Sequence, residues 1–249
     1  AGAEIVDGGE VMENARLIKC ADEIAAMRCA IAACDSSLEV MRQHAQPGIS
    51  ENRLWSYLHA ENIARGGEWI ETRLLAAGPR TNPWFQESSS RPIQAGELLA
   101  FDTDLIGAYG ICVDTSRTWL IGADKPSPAQ QDLYQRALEQ VRYNTALLRP
   151  GISWSDLSAR SQVYSPETHR HYSCLYHGVG LCDEYPQLPF PPQSMKGFDG
   201  GVMAGMTLCV ESFVGRCDGG EGVKYEEQVL ITDSGAELLS QYSESLIIT

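Results

Sequence analysis

One short motif occurs twice in the chain, each time before a segment with the pattern of a helix. The motif is Pro-Gly-Ile-Ser, at 47–50 and again at 150–153. Downstream of each copy, an Ala-Gly pair begins an apolar segment, and a carboxylate follows six residues after the glycine, Asp102 in one copy and Glu211 in the other. Because helix start, strand start and carboxylate keep the same order, we predict two copies of one helix-helix-strand-hairpin unit.

The first copy carries three carboxylates at close spacing, Asp102, Asp104 and Asp114. In a strand, residues two apart point to the same face, which predicts that Asp102 and Asp104 lie side by side. A glycine-containing turn follows, and 111–121 has the pattern of a returning strand with Asp114 on it. Carboxylates packed this closely repel one another unless a cation lies among them, and a divalent metal suits oxygen ligands. The alternative is a solvated acidic edge.

The second copy supplies a matching set of groups. Glu211 is followed by a second strand that carries Glu226, and His177 precedes Gly-Val-Gly, where the backbone can approach a site closely. A lone histidine is more often structural than a ligand, but His177 accompanies five carboxylates in a duplicated frame. Two units related by an approximate twofold axis would bring both acidic hairpins to the centre, so we interpret His177 as a metal ligand.

Apolar periodicity and capping residues predict the helices. They indicate an α+β fold with helices over Ala21–Ala45, Glu51–Arg65 and Pro128–Leu148, and a strand over Trp69–Ala77. The length of 249 residues suits one large domain or two small ones, and we predict one, 1–249, with halves at approximately 15–122 and 123–240.

Charge and cysteine content limit the partners. The net charge of −14 argues against nucleic acid or an anionic membrane surface as a main partner. No apolar run is long enough to span a bilayer. The eight cysteines form no CxxC pair and stand mostly among apolar residues, which predicts buried thiols in a reducing, cytoplasmic compartment; a disulfide framework is the alternative.

These motifs resemble the pita-bread family of methionine aminopeptidases, prolidases and creatinases, from about Ala15 to the C-terminal strand. The similar stretches are Asp114-Thr-Ser-Arg, His177-Gly-Val-Gly and Val223-Lys-Tyr-Glu-Glu. The resemblance implies a pita-bread fold, two pseudo-symmetric halves around a curved antiparallel sheet, and two divalent metal ions. Family members carry a further N-terminal domain, which we expect to be absent here. The ligands that the resemblance implies are Asp102 or Asp104, Asp114, His177, Glu211 and Glu226.

The chain departs from the peptidases at two places. Peptidases usually continue the histidine motif as HGxGxxxHExP, whereas this chain is one residue shorter there and has Asp183 about where the second histidine belongs. Peptidases also tend to carry a histidine after the glycine-rich loop of the first half, near the position of Trp84. The chain therefore lacks both of the histidines that aid amide hydrolysis in the peptidases. It has a carboxylate, Asp183, in place of one and an aromatic residue, Trp84, near the position of the other.

This combination resembles a narrower group, the DddP-type dimethylsulfoniopropionate lyases. The similar strings begin at Glu68, Gly78, Phe101 and His177. The resemblance implies a metal-dependent carbon–sulfur lyase, a homodimer, and iron as the metal, with zinc or manganese as alternatives. It implies Asp183 as the base, Tyr172 in the substrate pocket, and the metal ligands Asp102, Asp104, Asp114, His177, Glu211 and Glu226.

The predicted chemistry is base-assisted elimination of dimethyl sulfide, which leaves acrylate. The sulfonium group neither donates nor accepts hydrogen bonds, so it needs aromatic faces, for which Trp84, Tyr172, Tyr176 and Tyr185 are candidates. Asp183 has an alternative role as a carboxylate that orients His177. For the whole protein, the alternatives are an Xaa-Pro dipeptidase or aminopeptidase and a non-catalytic binding domain.

Overall fold

A computed structural model of the chain describes residues 2–3, 5–6, 8–190 and 200–247. The α-helices of these residues are α1 (Gly9–Arg16), α2 (Ala21–His44), α3 (Glu51–Ala64), α4 (Pro128–Leu147) and α5 (Trp154–Arg160). The strands are β1 (Trp69–Ile70), β2 (Leu75–Ala77), β3 (Leu98–Asp102), β4 (Leu105–Ile106), β5 (Cys112–Val113), β6 (Ser116–Leu120), β7 (His169–Arg170), β8 (Cys174–Val179), β9 (Asp183–Pro189), β10 (Thr207–Arg216), β11 (Gly222–Thr232) and β12 (Gly235–Leu238).

The serine of each Pro-Gly-Ile-Ser motif caps a helix. The Ser50 hydroxyl accepts a hydrogen bond from the backbone N–H of Arg53, and the Ser153 hydroxyl accepts one from that of Asp156. Each hydroxyl satisfies one of the backbone donors that a helix leaves unpaired at its start. The three predicted helices are confirmed, each ending one residue before the predicted end.

The strands form three antiparallel groups. The largest has the order β12-β11-β10-β8-β9, with β7 also paired to β10, and the others have the orders β2-β3-β6 and β1-β4-β5. The Thr118 hydroxyl of β6 donates to the Lys224 carbonyl of β11 at 2.8 Å and accepts from the Lys224 N–H at 3.1 Å. This side chain therefore connects the sheet of the first half to that of the second.

Each half packs its helices on its own strands. One buried cluster joins α2 and α3 to β2, β3 and β6, and the other joins α4 and α5 to β8, β10 and β11. The acidic residues lie where the two sheets meet.

Two predicted strands are broken in the structure. The segment 69–77 divides between β1 and β2, which pair in different sheets. The segment 111–121 leaves the ladder at Asp114, where the Thr103 hydroxyl donates to the Val113 carbonyl and accepts from the Thr115 N–H. A side chain thus replaces strand hydrogen bonds at this point.

The cysteines are all free, but only half of them are buried. Cys34, Cys112, Cys174 and Cys209 are buried, as predicted, whereas Cys20, Cys29 and Cys217 are exposed, so the prediction is wrong for these three. They lie at helix or strand ends or on an outer helix face, where the surrounding apolar residues pack elsewhere. Among the described residues, no helix has the length and apolar character needed to cross a membrane.

Candidate metal centre

The two glutamates are held by the longest strand pair. Glu211 on β10 and Glu226 on β11 stand directly opposite each other within nine consecutive paired positions. His177 on β8 is paired with Cys209, two residues before Glu211. Because residues two apart share a face, the register alone brings the imidazole and both carboxylates to one side of the sheet.

The aspartates of the first half are placed differently from our prediction. Asp102 is the last residue of β3, and Asp104 lies beyond the strand with a φ of 35°. The two carboxylates therefore do not share a strand face, and the same-face argument is wrong. Both are nevertheless buried at the centre, where Thr72 donates to Asp104 Oδ2 at 2.6 Å and Ser116 lies 2.6 Å from Asp102 Oδ1.

His177 Nε2 is the point at which the halves meet. It lies 3.5 Å from Asp114 Oδ2, 3.4 Å from Glu211 Oε1 and 3.5 Å from Glu226 Oε1. Its Nδ1 lies 3.0 Å from the Gly178 carbonyl, an arrangement that leaves Nε2 free to bind a metal when Nδ1 carries the proton.

Three overlapping groups of donor atoms could hold a cation, each with all its atoms within 4.8 Å of one another. Their members are Asp114, His177, Cys209 and Glu226; Asp102, Glu211 and Glu226; and Asp104, Asp114 and Asp183. The six predicted ligands all occur in these groups, together with Asp183 and Cys209.

The donor set fits divalent metal ions. Asp114 Oδ1 and Glu226 Oε1 are buried without a hydrogen-bond partner among the described residues. Burial and the neighbouring Glu226 charge raise the pKa of Asp114 well above its ordinary value. Burial and the Asp102 charge raise the pKa of Asp104 to about 8. Unpaired buried carboxylates are costly, and divalent cations with oxygen and imidazole ligands remove that cost.

Lys224 is a central residue to which the sequence analysis gave no role. Its ammonium is fully buried and donates to Ser116 Oγ at 2.6 Å, Glu211 Oε2 at 2.7 Å and Glu226 Oε2 at 2.9 Å. It also lies 2.9 Å from Asp102 Oδ2. Each glutamate therefore binds Lys224 with one oxygen and faces His177 with the other. The alternation of Lys224 and Glu226 along one strand was the available signal.

Asp183 is the exposed acid of the group, with 47% of its side chain accessible. Partial burial and the Glu226 charge raise its pKa, although the nearby His177 opposes them. Its Oδ1 lies 3.6 Å from His177 Nδ1, beyond hydrogen-bond distance, while the Gly178 carbonyl is within it. The geometry therefore does not favour Asp183 as the group that orients His177.

The residue after Asp183 fixes the turn on which Asp183 lies. Glu184 is buried, binds Lys19 Nζ at 2.7 Å and accepts from the Leu181 N–H at 3.0 Å. This buried ion pair fastens the β8–β9 hairpin to the segment that precedes α2.

The aromatic candidates separate into two kinds. Trp84 packs on Phe213, with ring centroids 6.2 Å apart, and Tyr172 packs against the same small cluster. The Lys224 ammonium lies over the Tyr172 ring, 4.8 Å from its centroid. Tyr176 is fully buried in the main core with its hydroxyl on Ser161, so it does not line the site.

Comparison with known proteins agrees with this arrangement. Residues 25–233 match the profile of metallopeptidase family M24. The chain belongs to this family. It superposes on an Xaa-Pro dipeptidase from Bacillus anthracis with a TM-score of 0.84, at 25% identity, over 97% of this chain and 66% of that one. The predicted pita-bread fold is therefore confirmed.

Two bacterial relatives are more similar in sequence. The dimethylsulfoniopropionate lyase DddP of Roseovarius nubinhibens is 49% identical, and that of Roseobacter denitrificans is 48% identical. Each alignment covers 97% of this chain and 56% of the relative. The chain thus spans about half the length of the curated relatives it matches.

Proposed function

We propose that the chain carries the catalytic centre of a metal-dependent lyase that cleaves dimethylsulfoniopropionate to dimethyl sulfide and acrylate. The observation that carries this proposal is Asp183, a half-exposed carboxylate beside His177 at a position where the peptidases of the fold have a histidine. The 49% identity to a relative with that activity supports the same substrate.

Asp183 is suited to accept a proton. It is the accessible acid of the cluster, and its raised pKa makes it a stronger base than an ordinary aspartate. In the proposed step, one Asp183 oxygen takes the proton from the carbon next to the substrate carboxylate. The electron pair of that C–H bond forms the new C=C bond, and the C–S bond breaks with its electrons on sulfur. Dimethyl sulfide leaves uncharged, and acrylate remains.

Metal ions would be held by Asp102, Asp104, Asp114, His177, Glu211 and Glu226. When bound, they supply Lewis-acid stabilisation of the negative charge that builds on the substrate carboxylate. Lys224 holds the outer oxygens of both glutamates and so keeps their inner oxygens directed at the same point. The role of these residues as ligands is part of the proposal.

The test is headspace detection of dimethyl sulfide from the metal-loaded protein and from Asp183→Asn. We expect the variant to lose about 10²–10⁴-fold in rate with unchanged metal content, because only the base is removed. Asp218→Asn, an exposed aspartate paired with Arg216, is the matched control and should keep the wild-type rate. No sulfide from the metal-loaded wild type would overturn the proposal.

The second candidate is an Xaa-Pro dipeptidase or aminopeptidase, favoured by the superposition on an Xaa-Pro dipeptidase. It uses the same ligands and predicts cleavage of proline dipeptides that survives Asp183→Asn. A non-catalytic binding domain is the third candidate, and it predicts a metal content near zero after purification.

The finer properties follow from the resemblance to the lyases. We propose iron as the metal, with zinc or manganese as alternatives, a cytoplasmic homodimer, and a single domain with halves at approximately 15–122 and 123–240. Mass spectrometry of the bound metal tests the proposed iron, and sedimentation velocity tests the proposed homodimer.

A further inference from the structure

Phe85 has a combination of properties that packing does not explain. Its backbone φ is 80°, in the left-handed region that bulky side chains rarely adopt, and its side chain is 62% exposed. A strained backbone of this kind persists only where the surroundings impose it, and such residues cluster at functional sites.

The surroundings that impose it are contacts between the loop before Phe85 and strands β10 and β11. The Thr81 hydroxyl accepts from the Gly222 N–H at 2.8 Å, and Asn82 Nδ2 donates to the Arg216 carbonyl at 2.9 Å. A Cβ added at Gly215 would meet the Asn82 side chain at 2.8 Å, so the loop lies directly on the strand there.

The loop then follows β10 towards the metal centre. Asn82 lies on Gly215 and Trp84 stacks on Phe213, while Glu211 is the next residue on the same face. The ring of Phe85, the next residue, stacks with Tyr172 at a centroid distance of 6.4 Å. Tyr172 in turn contacts Lys224, whose ammonium binds Glu211.

The aromatic faces of Tyr172 and Trp84 are partly or largely covered. One face of Tyr172 holds the Lys224 ammonium, and Trp84 is 8% exposed against Phe213. A sulfonium group carries a positive charge but offers no hydrogen-bond donor, so it binds to aromatic faces. Phe85, which stacks with Tyr172, presents an accessible aromatic ring at the edge of this group of aromatic residues.

We propose that Phe85 binds the sulfonium end of the substrate and so determines that the site selects onium carboxylates. This inference rests on the proposed function, because it concerns the substrate of that reaction. Carboxylates of the same shape but without the onium charge would lack the cation–π attraction and would bind without dependence on the Phe85 ring.

The test uses calorimetric titration of the metal-loaded protein with two probes of equal shape. One, called the cationic probe, is 3-(trimethylammonio)propionate, which has a positively charged end; the other, called the neutral probe, is 4,4-dimethylpentanoate, whose end has the same shape but no charge. We expect Phe85→Leu to raise the Kd of the cationic probe by about 2- to 30-fold, the range of a cation–π contact, and to leave that of the neutral probe unchanged. Phe85→Tyr keeps an aromatic face and should retain the wild-type preference.

Tyr109→Leu is the matched control, since Tyr109 is also an aromatic residue that is 77% exposed and has a positive φ, of 68°. Three results would overturn the inference. They are an equal loss of affinity for both probes in Phe85→Leu, no loss of affinity for the cationic probe, and no binding of the cationic probe by the wild type. Phe85-dependent cation binding without any dimethyl sulfide production would sustain it and overturn the lyase proposal instead.

Discussion

The two acidic hairpins hold their carboxylates by different means. In the second half, Glu211 and Glu226 belong to a ladder of nine paired positions, and Lys224 from the same ladder binds both. In the first half, the hairpin is interrupted and Asp104 lies outside any strand. Its contact is a hydrogen bond from Thr72 rather than an ion pair.

The difference concerns how the negative charge of each set of candidate ligands is balanced. The ion pairs of the described residues connect Lys224 to Asp102, Glu211 and Glu226, but connect no lysine or arginine to Asp104 or Asp114. The second half therefore carries an internal cation, whereas the outer part of the first half has a hydroxyl contact and would need the proposed metal to balance its charge. We infer that Lys224 organises half of the centre before metal arrives.

The largest effect is expected from Lys224→Met. Removal of the ammonium leaves three buried carboxylates without their cation, and breaking a buried ion pair from one side typically costs about 3–5 kcal/mol. We expect this loss in the free energy of unfolding of chelator-treated protein, measured by urea denaturation.

The control is Arg73→Met, which removes a pair with Glu87 whose side chains are 57% and 53% exposed. It should change the unfolding free energy by at most about 1 kcal/mol. Equal stability of Lys224→Met and wild type would show that the second hairpin does not depend on its lysine.

The pH dependence of the stability of metal-free protein should reveal the acids whose pKa values burial raises. The pKa of Glu211 is raised from 4.5 to about 7 by burial and Glu226, and that of Asp104 from 3.8 to about 8 by burial and Asp102. An acid whose pKa is raised on folding stabilises the protein fully below its unfolded pKa and loses this contribution as pH rises through the folded value. The free energy of unfolding should therefore fall between about pH 4 and pH 8.

Glu226 acts in the opposite direction, since its pKa is lowered mainly by Lys224 against the effect of burial. Its contribution to the free energy of unfolding is fully present above pH 4.5, the ordinary pKa of a glutamate, so it does not alter the pH dependence of stability near neutral pH. Added divalent metal should flatten the slope in thermal or urea melts at successive pH values. A flat profile without metal would contradict the raised pKa values of Asp104 and Glu211.

The sequence predicted the fold and the six candidate ligands because both follow from patterns that a chain shows directly. Repeated caps mark the helices, and the spacing of Asp102 and Glu211 from their glycines marks the two hairpins. The argument that Asp102 and Asp104 share a strand face was wrong, because Asp104 reaches the centre from a loop and not from the face of a strand.

Lys224 and Phe85 could not be predicted in the same way. The alternation of Lys224 with Glu226 places both on one strand face, but a lysine is normally exposed, and the register that opposes Glu211 and Glu226 is needed to show why this one is buried. The conformation of Phe85 depends on contacts with β10, more than a hundred residues away in the chain, which no local pattern records.

A smaller effect is expected from Ser116→Ala, which tests the junction of the two hairpins. The Ser116 hydroxyl lies 2.6 Å from Asp102 Oδ1 and 2.8 Å from Glu226 Oε2, and it accepts from Lys224. Residues that orient ligands typically contribute about 10- to 100-fold to metal affinity. We expect a loss in that range by competition with a chelator, and Ser36→Ala, on the exposed side of α2, should cause none.

The smallest expected effect compares two equivalent positions, Thr103 and Ser212, which directly follow Asp102 and Glu211. Thr103 holds the interrupted hairpin through Val113 and Thr115, whereas Ser212 donates to Gln140 of α4 at 2.6 Å, on the opposite side of the sheet from the site. Thr103→Val and Ser212→Ala should each destabilise the fold by about 1–3 kcal/mol, since both leave buried polar groups unpaired.

Only Thr103→Val should also weaken metal binding, by about tenfold, because its hydroxyl fixes the backbone on either side of Asp114. In the second half, the strand ladder fixes Glu211 without help from Ser212, so chelator competition should show an unchanged affinity for Ser212→Ala. If both variants weaken metal binding equally, the ligands of the two halves are held alike, and the contrast between a loop-held and a ladder-held set of carboxylates is wrong.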